Sequence, residues 1–240
     1  APVAATTTAH AVATILGTEV YTAYQFASVT PTTATINIKG TTTIDLNNQQ
    51  WAPKSFTVAV TINGDANNNQ ESRAIIKNLK NVPANNAAAG SMNGLIATAT
   101  GLVTIHDVNF IGVDLQKYDY TGSLVARAQA GANIQNVDVT GIAIKSLEAS
   151  GIGDLIGSLE GATANTIKNV NVKGTEIANS NQKAGGLIGW NKSTAATLIE
   201  NVNVDVTTIQ ANDIVGGFIG QNDGAVNLNT TMDESKNSVK

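Results

Sequence analysis

The sequence predicts an all-β solenoid, a chain wound around an axis so that short strands stack like on like. Three observations predict it. A six-residue phrase recurs as Ile105-His106-Asp107-Val108-Asn109-Phe110, Ile134-Gln135-Asn136-Val137-Asp138-Val139, Ile167-Lys168-Asn169-Val170-Asn171-Val172 and Ile199-Glu200-Asn201-Val202-Asn203-Val204, with a weaker copy at 76–81 and a decayed one at 225–230. Successive copies start 29, 29, 33, 32 and 26 residues apart, the mark of a coiled repeat. A second phrase, at Leu95-Ile96, Leu124-Val125, Leu155-Ile156, Leu187-Ile188 and Phe218-Ile219, follows the first Ile of each copy after 20, 20, 22, 21 and 20 residues, so length changes fall in the loops between. Inside this array no segment carries apolar residues at helical spacing over three turns.

Residues 1–42 precede the repeats and are expected to supply first strands and a cap, because an open solenoid end leaves backbone donors and apolar core uncovered. Tyr21, Tyr24 and Phe26 are the candidate cap side chains. Residues 43–230 form the array. Its strands read from short runs rich in Val, Ile and Thr, such as Ile111-Gly112-Val113-Asp114-Leu115 and Val206-Thr207-Thr208-Ile209, giving about three strands per coil. Side chains alternate along a strand, so in IxNVxV the two Val positions share a face while Ile, three residues before the first Val, points the other way. A bend at Asn removes the conflict, since Asn tolerates the left-handed conformation a corner needs. Stacked roughly 4.8 Å apart, Asn78, Asp107, Asn136, Asn169, Asn201 and Asn227 are expected to form one hydrogen-bonded corner column. Asn109, Asp138, Asn171, Asn203 and Asn229 form a second polar column on the outer surface. About seven coils give a rod of roughly 35 Å at that spacing. Residues 231–240 are a polar tail without repeat character, expected as an edge or as disorder.

Only 13% of residues are charged and 4% aromatic, against 42% hydrophobic, so the apolar content is small and branched and suits a narrow layered core. The net charge is -4 and Lys and Arg do not cluster, which argues against nucleic acid or an anionic membrane as partner. Cysteine is absent, excluding disulfides and thiolate metal sites. No apolar run approaches the roughly 18 residues of a membrane span. The chain opens at Ala1 rather than Met, which reads as processing or trimming, with any signal segment already removed.

Gly185-Gly186-Leu187-Ile188-Gly189 before Trp190-Asn191, and Gly216-Gly217-Phe218-Ile219-Gly220 before Gln221-Asn222, resemble the GLUG motif of bacterial surface proteins, especially of gut Bacteroidetes. Thr43-Ile44-Asp45-Leu46, followed by Trp51-Ala52-Pro53 and Phe56, is similar to that family's opening turn. The family's tight Asp-Gly-Asn-Gly turn is replaced here by Gly64-Asp65-Ala66-Asn67-Asn68-Asn69-Gln70-Glu71. The resemblance covers roughly residues 43–230. It implies a right-handed parallel β-helix outside the cell or on the outer-membrane surface, with lipid anchoring as one mode of attachment, and an adhesive role toward a host or bacterial glycan or protein.

For chemistry, Gly151-Ile152-Gly153-Asp154-Leu155-Ile156-Gly157 approaches a dinucleotide loop but lacks GxGxxG spacing, and a structural turn is the better reading. Residues 65–71 have oxygen donors at alternate positions like a calcium loop, but lack the central Gly and the closing Glu, so a solvated Asn-rich loop is expected. His10 and His106 are the only histidines. His106 fills the variable slot of its phrase and is expected to face solvent. No GxSxG, HExxH or Ser-His-Asp spacing occurs. Neither cofactor, metal nor catalytic residue is therefore assigned.

The enzyme rival is a β-helical polysaccharide lyase or glycosidase. A glycosidase needs two acids about 5–9.5 Å apart, and a lyase an Arg or Lys base with acidic calcium ligands. The acids Asp107, Asp114, Asp138, Asp154, Asp205 and Asp213 share no such arrangement, and the arginines are Arg73 and Arg127. Binding has a better candidate. Thr98, Arg127, Ser158, Trp190 and Gln221 fall at one position of successive coils, four of the five polar, so the column should point outward. Trp190 would then offer a stacking or anchoring surface, with Tyr118 and Tyr120 extending it. The competing expectation is that Trp190 folds back onto a neighbouring loop and that Tyr118 and Tyr120 pack within their own loop.

Overall fold

The computed structural model describes residues 18–39, 42–64, 73–83, 85, 90–146, 150–179, 183–228 and 237–239. Val103–Gln116, Ala132–Ser146, Asn165–Asn179 and Thr197–Ala211 are long strands that pair in parallel with equivalent residues opposite one another. Each is bent at a residue in the left-handed region: Asp107, Asn136, Asn169 and Asn201, with φ of 60, 54, 53 and 53°. Three of them bend again, at Gly112, Gly141 and Gly174, with φ of 71, 65 and 73°. The first bend lets Ile105 and Val108, three residues apart, both point inward, and both are fully buried. Asn adopts this conformation at lower cost than other side chains, and Gly at almost none.

Two further parallel sheets close the coil. One has five strands, from Met92–Asn93 through Tyr120–Gly122, Gly151–Gly153 and Lys183–Gly185 to Ile214–Gly216; the other has six, from Lys54–Phe56 through Ile96–Ala99, Val125–Ala128, Ile156–Leu159 and Ile188–Asn191 to Ile219–Asn222. The molecule is thus a parallel β-solenoid with strands of all three sheets present in about five turns. That is fewer than the seven read from the sequence, because among the described residues the levels at both ends contribute strands to only part of the coil.

Inside, side chains stack in rows. Ile62, Ile105, Ile134, Ile167 and Ile199 lie in register, as do Ile76, Phe110, Val139, Val172 and Val204, and nearly all are completely buried. Burying one such side chain contributes about 1.5–3 kcal/mol, and the repetition of these rows is what makes the array cohere. On the opposite side Leu124, Leu155 and Leu187 are fully buried too, but where the two shorter sheets approach one another glycine leaves no room for a side chain. A Cβ on Gly189 would lie 2.4 Å from Ile152 N and 2.7 Å from Gly157 O, and one on Gly153 would lie 2.2 Å from Ile156 O. The two shorter sheets therefore meet backbone to backbone, which explains the glycines at 151–157 as packing rather than as a nucleotide loop.

The register differs from the sequence reading at the first turn. Ile62 pairs with Ile105 and Asn63 with His106, and pairing resumes with Ala74 opposite Val108. Nine residues, 65–73, thus stand between Gly64 and Ala74, where Asp107 and Val108 are adjacent. Ile76 consequently faces Phe110 rather than Ile105, and Asn78 belongs to the second corner, its N–H donating to Ile111 O at 2.8 Å. Both corners need the same local pattern, two inward aliphatics flanking one left-handed residue. Ile76-Lys77-Asn78-Leu79 satisfies the second as well as Ile105-His106-Asp107-Val108 satisfies the first. Asn227 is also misplaced by the phrase: it pairs with Leu198, three residues before the Asn201 corner.

The corner column therefore consists of Asp107, Asn136, Asn169 and Asn201. Asn201 Nδ2 donates to Asn169 Oδ1 at 2.8 Å, Asn169 to Asn136 at 2.9 Å, and Asn136 to Asp107 at 2.9 Å. Every amide donates toward the N-terminal end, where a carboxylate, which accepts but cannot donate, closes the chain. Asn78 makes the same contact with Asp45 at 2.7 Å in its own column. A buried clamp joins turns elsewhere: Asn165 accepts from Ala132 N at 2.9 Å and donates to Ser193 Oγ at 2.9 Å and Thr197 Oγ1 at 3.2 Å.

The ends are unlike. Helix Ala23–Ala27, capped by Thr22, seats Phe26 against Trp51 with ring centroids 5.6 Å apart. Phe26 alone of the expected cap residues is buried, since Tyr21 and Tyr24 are exposed. At the other end Val215 and Leu228 are exposed and Phe218 and Ile219 only partly covered, while Asn237–Val239 adds an edge strand beside Val202–Val204. Among the described residues no helix is long and apolar enough to cross a membrane.

Candidate binding face

Thr98, Arg127, Ser158, Trp190 and Gln221 are paired one above the next, at the third position of their strands. A second row lies two residues further along the chain, and it holds Glu160, Lys192 and Asp223. This second row organises the first. Arg127 donates to both oxygens of Glu160, Nε at 2.8 Å and Nη2 at 3.0 Å, and Lys192 Nζ reaches the same carboxylate at 2.8 Å. Ser158 Oγ adds a hydrogen bond at 2.9 Å. Burial works to raise the pKa of Glu160, but the hydrogen bonds from Arg127, Lys192 and Ser158 outweigh it and hold the group below its ordinary value. The same pair raises the pKa of Arg127.

Lys192 also lies 4.3 Å from the centroid of the Trp190 ring and 5.8 Å from that of Tyr120, which Arg127 approaches at the same distance. Lys183, itself buried, sits 4.0 Å from the Trp190 centroid. The indole N–H of Trp190 donates to Asp223 Oδ2 at 2.7 Å. Hydrogen bonds from Gln221 and from Trp190 lower the pKa of Asp223. Trp190 is half-buried, so it is neither a bare platform nor folded away: ammonium groups attend its ring and a carboxylate fixes its edge. Cation–π contacts of this kind are worth about 0.5–1 kcal/mol each at exposed sites, enough to pre-set the ring's orientation.

Of the residues singled out in the sequence, Trp190, Arg127 and Tyr120 are brought together through Lys192. Tyr118 is tied elsewhere, to Asn81, whose Nδ2 donates to its hydroxyl at 3.2 Å. Lys183, Lys192, Glu160 and Asp223 were not anticipated. The period-2 alternation that placed Arg127 and Trp190 outward also places Glu160, Lys192 and Asp223 on the same side, and that was the available signal. His106 is part-exposed and contacts Asp107 Oδ2 through Nδ1 at 2.7 Å. The acids of the lyase reading are dispersed: Asp114 accepts from Gln116 at 2.7 Å, Asp154 is fully buried, and Asp205 and Asp213 are exposed. Among the described residues no three His, Cys, Asp or Glu side chains converge as a metal site would require. The loop at 65–71 lies outside the described residues. No known protein family, curated protein or solved structure matches the chain.

Proposed function

We propose that the chain is a non-catalytic binding module displayed outside a bacterial cell, in the manner of the GLUG-motif surface proteins its glycine phrases resemble. The observation that carries this reading is the cluster of Tyr120, Arg127, Lys192 and Trp190 on one outward face. Trp, Tyr and Arg are the side chains that dominate binding energy when a partner covers them, and here all three stand on paired strands rather than on loops. The rigid solenoid projects the face; the ordered Glu160 and Asp223 hold its cations and its indole. A protein or a glycan fits this surface, its aromatic rings supplying area and its cations and carboxylates supplying polar contacts.

The test is binding of bacterial cells, host cell-surface proteins and a glycan array by the intact chain, alongside turnover assays on polysaccharides with and without calcium. Trp190→Ala should abolish or strongly reduce binding while the protein stays folded, with a cooperative thermal melt lowered only modestly by the lost ring contacts. Unchanged binding by a folded Trp190→Ala protein would leave a spacer role instead. Polysaccharide turnover abolished by one carboxylate substitution would replace the proposal with the enzyme reading.

A further inference from the structure

A second polar site lies on the long-strand side of the solenoid, remote in the fold from the Trp190 face. Arg73, Asn136, Asn169, Asn171 and Asn201 line a cleft of about 250 Å³. It is smaller than the roughly 300–1,000 Å³ of drug-sized pockets and offers room for a single small polar unit. Among the described residues its walls are side-chain amides and one guanidinium. Arg73 is 8% exposed, its Nε is buried without a hydrogen-bond partner, and its Nη1 reaches Asp138 Oδ2 at 3.4 Å, a long contact. Asp138 is shared, since its other oxygen accepts from Asn171 Nδ2 at 2.7 Å. The buried cation is therefore weakly neutralised, and leaving a buried donor unpaired is unfavourable. An incoming carboxylate would complete the neutralisation of the guanidinium, whose planar N–H groups match carboxylate oxygens.

The amides add a second specificity. Each corner Asn in the cleft has two N–H groups and two acceptor lone pairs, and the ladder uses one N–H of Asn136, Asn169 and Asn201 and one acceptor position of Asn136 and Asn169. What remains is a vertical row of paired donors and acceptors at the strand spacing of roughly 4.8 Å. Such a row suits hydroxyl groups, which both donate and accept. A cleft combining a carboxylate fork with a hydroxyl-reading row selects a molecule with both groups. We infer that this cleft binds a carboxylate-bearing sugar unit, a uronic acid, with its carboxylate on Arg73 and its hydroxyls along Asn136, Asn169, Asn171 and Asn201.

The inference stands apart from the Trp190 face and is tested separately. The probes are glucuronate, glucose and acetate, titrated into the intact chain while the side-chain amide resonances of Asn136, Asn169 and Asn171 are followed by NMR. Glucuronate should shift these resonances saturably and bind at least about tenfold more tightly than either glucose or acetate, a difference of about 1.4 kcal/mol. Arg73→Gln should lose at least that factor. Asn201→Ala, an exposed position that keeps the test open if Arg73→Gln fails to fold, should weaken glucuronate several-fold, and Trp190→Ala should leave it unchanged. No saturable shift, equal affinity for glucose and glucuronate, or full affinity in a folded Asn201→Ala protein would overturn the assignment.

Discussion

The two sides of the solenoid keep register by opposite means. On the long-strand side, rows of Ile, Val and Phe fill the interior and Asn side chains link the corners from turn to turn. On the other, Leu and Ile still fill the interior, but glycines at the junction of the two shorter sheets let backbones touch, and there the absence of a side chain is what fits. The first side tolerates variation in kind: Ile76 stacks on Phe110 and Phe110 on Val139, and Gly64 follows Asn63 where the other turns place Asn or Asp. The second tolerates none at Gly153 or Gly189, where any Cβ meets main-chain atoms that cannot move aside. A repeat can thus be specified by side chains that fill space or by positions that must stay empty, and the two fail differently.

Gly189→Val should have the largest effect. Its added atoms would overlap backbone N and O of neighbouring strands, and overpacking against main chain should cost at least about 3 kcal/mol, seen as a large fall in the denaturant midpoint or failure to fold. On the ladder side, Asn165→Ala leaves the Ala132 N–H and two hydroxyls without their partner and should cost about 1–3 kcal/mol. Asn169→Ala loses its two ladder hydrogen bonds and also places Ala at φ 53°. Asn169→Gly keeps the conformation, so it should be less destabilised than Asn169→Ala by roughly 1–2 kcal/mol. Equal losses in the two variants would mean that the amides, not the backbone turn, account for Asn at the corner.

The smallest effect concerns pH. Glu160, Asp223 and Asp45 all have folded pKa values below their ordinary ones. The stability they contribute is present above the unfolded carboxylate range of about 4 and is lost as pH falls through the depressed folded values. Urea denaturation across pH 7 to 3 should show stability falling on the acid side, and Glu160→Gln should flatten that fall. An unchanged slope in Glu160→Gln would place the acid sensitivity on other groups.

The rows of the core, the outward column and the bend at Asn were all legible in the sequence because each follows from period-2 alternation and the conformational tolerance of Asn. What was not legible has two physical causes. The corner pattern around Asn78 is locally indistinguishable from that around Asp107, so spacing alone set Ile76 under Ile105 when nine extra residues had moved the match to Ile62. The charged partners of Trp190 come from the preceding strand of its own turn, from two residues further along the chain and from the next turn, and only the three-dimensional stacking brings Lys183, Lys192 and Asp223 to one ring. Tyr118 shows the converse, a residue near Tyr120 in sequence whose hydroxyl is committed to Asn81.

Because the chain has no cysteine, the stacking can be read by paired substitutions. Directly opposed residues on neighbouring parallel strands have Cα atoms roughly 4.8 Å apart, within the range a disulfide spans. Lys77 faces Ile111 across the turn, and both side chains are accessible. Lys77→Cys with Ile111→Cys should oxidise to an intramolecular disulfide found by mass mapping, and Lys77→Cys with His106→Cys should not. Cross-linking of the His106 pair in place of the Ile111 pair would contradict the register on which every row described above depends.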